Sequence, residues 1–276
     1  MGGRTVELGA TGIPARIAPA GPLVAAISWR PVRDGVSMAT LPLRAGALDA
    51  PVEAVIVRAD PRRLRFSLAR RTTANGMTGS WSIDSAGPDA VLAMNAGQFK
   101  ETGPWGWLVL DGYEHRNPLR APLGVGLVID RAGTLRFVAP GGEARLRHDA
   151  RVRFAFQSFP LLWYDRRVPA ALRDATLTNL AHRDARLVLA EADDGSLLIV
   201  LTRFAGLGAV AERLPIGLTV PETVALVAAL GARHAVMLDG GVSAQLLLRD
   251  AAGDRTAWRG LRAVPLGLVA GPRPED

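Results

Sequence analysis

His234-Ala-Val-Met-Leu-Asp-Gly-Gly-Val-Ser-Ala-Gln-Leu-Leu247 is an apolar run that leads straight into an acid and two glycines. The run reads as a buried strand with Asp239 at its end. Gly240 and Gly241 let the backbone turn sharply and bring its N–H groups close to a ligand. Ser243 and Gln245 follow within side-chain reach of the same turn. Upstream, Thr219-Val-Pro-Glu222 is a capping box with proline early in the helix. It predicts a helix over 219–230 carrying Val224, Val227 and Leu230, ended by a left-handed cap at Gly231. Helix, loop, strand and Asp-Gly-Gly together present one acid and several amides on a rigid support. Taken alone, Asp-Gly-Gly is also a common plain turn.

A second segment repeats the design. Ala90-Val-Leu-Ala-Met94 is a short apolar strand that runs into Asn95-Ala-Gly-Gln-Phe99. Asn tolerates unusual backbone angles and carries both a donor and an acceptor, and Gly97 permits close approach. Two strand ends that each close on a polar residue plus glycine are expected to converge in one pocket.

Asn95-Ala-Gly-Gln-Phe99 resembles the Asn-Gly-Gly-Phe-Phe signature of the phosphodiester glycosidase family, and Leu238-Asp-Gly-Gly-Val-Ser-Ala244 resembles its Leu-Asp-Gly-Gly-Gly-Ser motif. Trp107-Leu-Val-Leu-Asp-Gly112 is similar to the family's apolar strand ending in Asp-Gly. Gln157-Ser-Phe-Pro-Leu-Leu162 is similar to its Ser-Gly-Pro-Leu-Leu segment, and Arg183-Asp-Ala-Arg-Leu187 stands where the family has Arg-Thr-Ala-Ile-Gly. The order is consistent over residues 52–270. Ala96, Gln98, Phe159 and Val242 depart from the family pattern, which alters the pocket walls more than the anchors.

The resemblance implies a hydrolase that cleaves a sugar-1-phosphodiester. Such a bond has a leaving group that is already a weak base, so protonating it gains little. Two needs remain: a carboxylate for the positive charge at C1 or for activating water, and a site that holds the phosphate. Asp239 is the expected carboxylate. Arg183 is expected to offer its planar fork to phosphate, with backbone N–H groups around Gly97, Gly240 and Gly241 as a nest beside it. Asn95, Ser243 and Gln245 would orient sugar hydroxyls, with Gln98, Asp111, Ser158 and His182 as further substrate contacts and Trp105 or Trp107 stacking on a sugar. Each has a duller reading: Asp111 as a turn acid, His182 as structural, the tryptophans as core. Glu191, within a hairpin strand, could face either solvent or pocket. The alternative function is a non-catalytic carbohydrate- or phosphopolymer-binding domain with the same pocket.

Composition narrows the classes. The 276 residues suffice for one large domain, and hydrophobic residues at 49% argue against disorder. The net charge of +7 raises nucleic acid as a partner, but Lys100 is the only lysine among 33 basic residues and the arginines are scattered. A solvated basic surface is the preferred reading, with no nucleic-acid groove. The absence of cysteine excludes disulfides, thiolate chemistry and cysteine-held metals. His115, His148, His182 and His234 are isolated, so no metal or cofactor is implied. An α/β-hydrolase needs its His after the Ser, and His234 precedes Ser243. No window is long and apolar enough to span a membrane. The family suggests export, yet no clear signal sequence is legible, and the compartment stays open.

Turn signals at 60–63, 130–133 and 193–196 separate expected strands Val52–Val57, Leu64–Leu68, Leu123–Ile129, Leu135–Val138, Leu187–Ala192 and Leu197–Leu201, with a last strand over Ala263–Val269. Short helices are expected at Thr73–Met77 and Pro169–Asp174. The reading is one α+β domain over 51–270 with a mixed, mostly antiparallel sheet and a few packed helices. Residues 1–50 would form an extension with an edge strand near Leu23–Trp29, and 271–276 a tail.

Overall fold

Within the strand Arg186–Ala192, Leu187-Val-Leu-Ala190 reads as an unbroken apolar run because both faces of the strand are covered. Leu187 and Leu189 enter one core, while Val188 and Ala190 enter another. The same division holds along Ala50–Ala59, where Val55 and Val57 face the first core and Ala54 and Ile56 the second. A strand buried on both sides loses the polar–apolar alternation of a half-exposed one. The computed structural model that shows this describes residues 27–45, 50–72, 78–173, 179–205 and 216–274.

Three antiparallel sheets make the frame. The seven-stranded sheet runs in the order Arg30–Arg33, Val36–Ala45, Ala50–Ala59, Leu197–Phe204, Arg186–Ala192, Ala232–Met237, Leu161–Tyr164. One five-stranded sheet is ordered Tyr113–Arg116, Leu108–Leu110, Val152–Ser158, Val125–Asp130, Leu135–Phe137. The other is ordered Arg255–Trp258, Leu246–Arg249, Leu92–Asn95, Gly267–Pro272, Leu64–Ala69. The largest core lies among all three and includes Phe66, Met94, Phe156, Leu189 and Leu246. The helix Val220–Ala229 covers the outer face of the seven-stranded sheet with Val224, Leu226 and Val227.

The predicted helix is present with its capping box: Thr219 accepts from the Glu222 N–H, and the Glu222 carboxylate accepts from the Thr219 N–H at 2.8 Å. Gly231 follows at φ +78°, the left-handed conformation expected of it. The 130–133 and 193–196 hairpins are also as expected.

The expected class needs correction. The molecule is mostly β, because beyond Val220–Ala229 the described α-helices are single turns at Glu143–Leu146 and Ala170–Arg173. Every described strand pair is antiparallel, so the sheet is not mixed, and there are three principal sheets instead of one. Short strands punctuated by Gly and Pro fit several small twisted sheets better than one wide one. The first edge strand begins at Arg30, after Ile27–Trp29; Leu23–Ala26 and the expected helix Thr73–Met77 lie outside the described residues. Gly271 and Pro272, assigned to the tail, close the last strand opposite Arg65 and Leu64.

Candidate active site

The two glycine turns meet at a junction between sheets. The strand Ala232–Met237 belongs to the seven-stranded sheet, and Leu246–Arg249, which follows the Asp-Gly-Gly turn, belongs to a five-stranded one. Asp239–Gly241 is therefore the crossover from one sheet to the next. Leu246–Arg249 pairs with Leu92–Asn95, which brings the Asn95 turn alongside. Asn95 closes the junction: its Nδ2 donates to the Asp239 carbonyl at 2.5 Å, and its Oδ1 accepts from the Gln245 N–H at 3.0 Å. The Asp239 N–H reaches the Ala96 carbonyl at 3.3 Å.

The glycines are required by crowding. A Cβ on Gly97 would sit 2.3 Å from the Gln157 carbonyl oxygen, and one on Gly240 would sit 2.6 Å from that of Ala185. Gly241 has φ +59°, and a Cβ there would meet the Asp184 carboxylate at 2.8 Å. Backbone neighbours exclude a side chain at Gly97 and Gly240, and the positive φ disfavours one at Gly241.

Asp239 is the chemically distinctive group. Its Oδ2 is buried with no hydrogen-bond partner. Burial raises its pKa; a hydrogen bond from Ser243 and the charge of Arg262 pull it down, while the Asp184 carboxylate pushes it up again. Asp184 is itself raised by burial, against the opposing charge of Arg186. Two carboxylates with elevated pKa thus flank the Gly240–Gly241 turn. Buried polar atoms nearly always find partners, so a bare carboxylate oxygen asks for a functional reason.

The other expected site residues divide. Ser243 is buried, and its proximity lowers the pKa of the Asp239 carboxylate. Asn95 and Gln245 are buried and occupied: the Gln245 Oε1 accepts from the Ile83 N–H at 2.9 Å. Their side chains hold the two turns in place. Gln98 is half-buried, with its Nε2 donating to the Leu238 carbonyl at 3.1 Å and its Oε1 accepting from the Phe159 N–H. Ser158 is fully buried beside it, its Oγ 2.5 Å from the Met237 carbonyl oxygen. Trp105 packs against Phe159 with ring centroids 4.7 Å apart, at the edge of this group. Trp107 is wholly buried and donates to Glu114.

Arg183 departs from expectation. Its Nη1 and Nη2 each donate to Glu222 at 2.7 Å, so the fork meant for phosphate already grips a buried carboxylate. Asp111 is an exposed turn residue at φ +50° paired with Arg153. His182 is exposed, 4.0 Å from Asp184. Glu191 pairs in register with His234, at the end of that strand remote from Asp239. A surface depression of about 550 Å³ is remote as well: its Arg58, Asp60, Arg62 and Asp194 are paired among themselves.

Sequence reasoning overlooked Asp184 and the second role of Glu222. Asp184 was legible as a departure, an acid where the family motif has Thr. Glu222 was absorbed by its capping role.

The phosphodiester glycosidase family profile matches residues 88–270. The zebrafish N-acetylglucosamine-1-phosphodiester alpha-N-acetylglucosaminidase catalytic domain, auto-inhibited by its pro-peptide, superposes with a TM-score of 0.62 at 14% identity, over 94% of this chain and 87% of that one. A hypothetical protein from Synechocystis superposes with a TM-score of 0.58 at 15% identity, over 90% of this chain and 64% of that one. This chain thus spans just under two thirds of the Synechocystis protein. At such identities the likeness is one of fold. No curated protein matches the sequence.

Proposed function

The chain belongs to the phosphodiester glycosidase family, and from that premise we propose that it hydrolyses a glycosyl phosphodiester with Asp239 as its working carboxylate. The observation that carries the reading is the buried, unpartnered Oδ2 of Asp239 at the junction of the two glycine turns. Water adds at the sugar C1, the C1–O bond to phosphorus breaks, and the phosphate ester leaves with the bonding electrons. Its negative charge needs no proton to depart. Asp239 either accepts the proton of the attacking water or first captures C1 itself; both roles use its ionised form. Its raised pKa makes that form a stronger base than an exposed aspartate. Ser243 tempers the pKa of the carboxylate, and Asn95 fixes the backbone that carries it.

Arg183 enters as a buttress in this reading: it holds Glu222, and through Glu222 the start of the helix that precedes the Asp239 strand.

Asp239→Asn tests the proposal, because it keeps shape and removes charge. On a glycosyl phosphodiester selected from a synthetic panel, kcat should fall by about 10²-fold or more with the circular dichroism spectrum unchanged. A folded variant with near-normal kcat would remove Asp239 from the chemistry. Specific binding of sugar phosphodiesters without turnover by the unaltered chain would favour the non-catalytic alternative.

A further inference from the structure

With Arg183 engaged, the phosphate needs another cation. Of the arginines around the junction, Arg183 is held by Glu222, Arg186 by the Leu218 and His182 carbonyls, Arg203 by Glu53 and Arg259 by Asp84. The Arg262 guanidinium has no hydrogen-bond acceptor and no ion-pair partner among the described residues. It lies over the Phe99 ring, 4.7 Å from the centroid. Phe99 is the last residue of the Asn95 turn and rests on the small core of Trp81, Ile83 and Val264. The Arg262 N–H donates to the Val242 carbonyl at 3.0 Å, which ties its backbone to the residue just after Gly241. Arg262 therefore bridges the two glycine turns, with its side chain on one and its backbone on the other.

We propose that Arg262, seated on Phe99, is the residue that binds the substrate's phosphodiester. This rests on the phosphodiester reading above. A guanidinium stacked on an aromatic ring keeps its plane fixed and its N–H edge open, which suits two oxygens of a phosphate. Its charge also reaches Asp239, so the anion would be held beside the carboxylate that acts on C1. Phe99 is a positioning residue, acting through Arg262.

The test compares the methyl phosphodiester of the preferred sugar with the 4-nitrophenyl glycoside of the same sugar, which presents no phosphate. Arg262→Ala should lower kcat/KM on the phosphodiester by about 10- to 100-fold, the range for a lost charge-assisted hydrogen bond. At a pH where Asp239 stays ionised without the Arg262 charge, the variant should leave the glycoside within about 3-fold, a margin well below one such bond. Arg262→Lys, which keeps the charge without the fork, should fall between. Phe99→Leu should raise KM on the phosphodiester and leave kcat nearly unchanged. Inorganic phosphate should inhibit the unaltered enzyme competitively on the glycoside, and Arg262→Ala should weaken that inhibition. If the phosphodiester is cleaved but Arg262→Ala harms both substrates equally, or neither, Arg262 does not bind phosphate and the phosphodiester reading stands. If the unaltered enzyme cleaves only the glycoside and phosphate does not inhibit, the phosphodiester reading falls, and the role of Arg262 with it.

Discussion

Burying Asp239 costs the fold stability, and pH exposes that cost. Its folded-state pKa is raised, chiefly by burial, so folding disfavours the charged form. The cost appears as pH rises above the unfolded value of about 3.9 and is complete above the folded pKa. Asp239→Asn should accordingly melt higher than the unaltered protein at pH 7, by a few degrees for about 1 kcal/mol, while its activity is lost. If Asp239 acts in its ionised form as proposed, kcat/KM should show an acidic limb at a pH above that of a free aspartate. Asp184 pushes Asp239 up. Asp184→Asn should therefore move the limb to lower pH, as read from a pH–rate profile; an unmoved limb would show that the two carboxyls are not coupled. Asp239 itself was legible in the sequence because strand, acid and glycine are adjacent there. The partners of Asn95 and Gln245 were not, since their hydrogen bonds join segments far apart in the chain.

The helix Val220–Ala229 begins on a carboxylate with two duties. Burial pushes the Glu222 pKa up, and the Arg183 fork together with the capping bond from Thr219 outweighs it, so the net shift is downward. That contribution is present above the unfolded value of about 4.3 and is lost as pH falls through the folded pKa. Arg183→Ala strands a buried charge, and its expected cost is about 3 kcal/mol or more. Its signature should be a drop in melting temperature on the order of 10 °C, with any remaining folded protein still turning over substrate. A folded, fully stable but inactive Arg183→Ala would return the phosphate to Arg183. The capping box and Gly231 were readable from a local pattern. The Arg183–Glu222 pair spans 39 positions and has no local signature, which is why a free phosphate fork was expected instead.

The Gly- and Pro-rich start of the chain reads as an extension ending at residue 50, yet the strand Val36–Ala45 pairs with Ala50–Ala59 over ten residues. Val36 and Met38 enter the central core, and Leu41 and Ala45 the outer one. A chain shortened to residues 51–276 should lose these contacts, expose a long apolar edge strand and aggregate; a shortened chain that is soluble and melts normally would show the strand to be dispensable. The three sheets were illegible as such, because hairpins announce neighbours while a sheet boundary depends on which distant strands pair. One consequence reaches into biogenesis. Asn95 holds the backbone of Asp239 across a separation of 144 positions and across a boundary between two sheets. No fragment, and no intermediate with one sheet still undocked, has the carboxylate in place. Recovered activity in a refolding experiment is then a clock for the last docking event, and a half-made chain in the cell is a silent one.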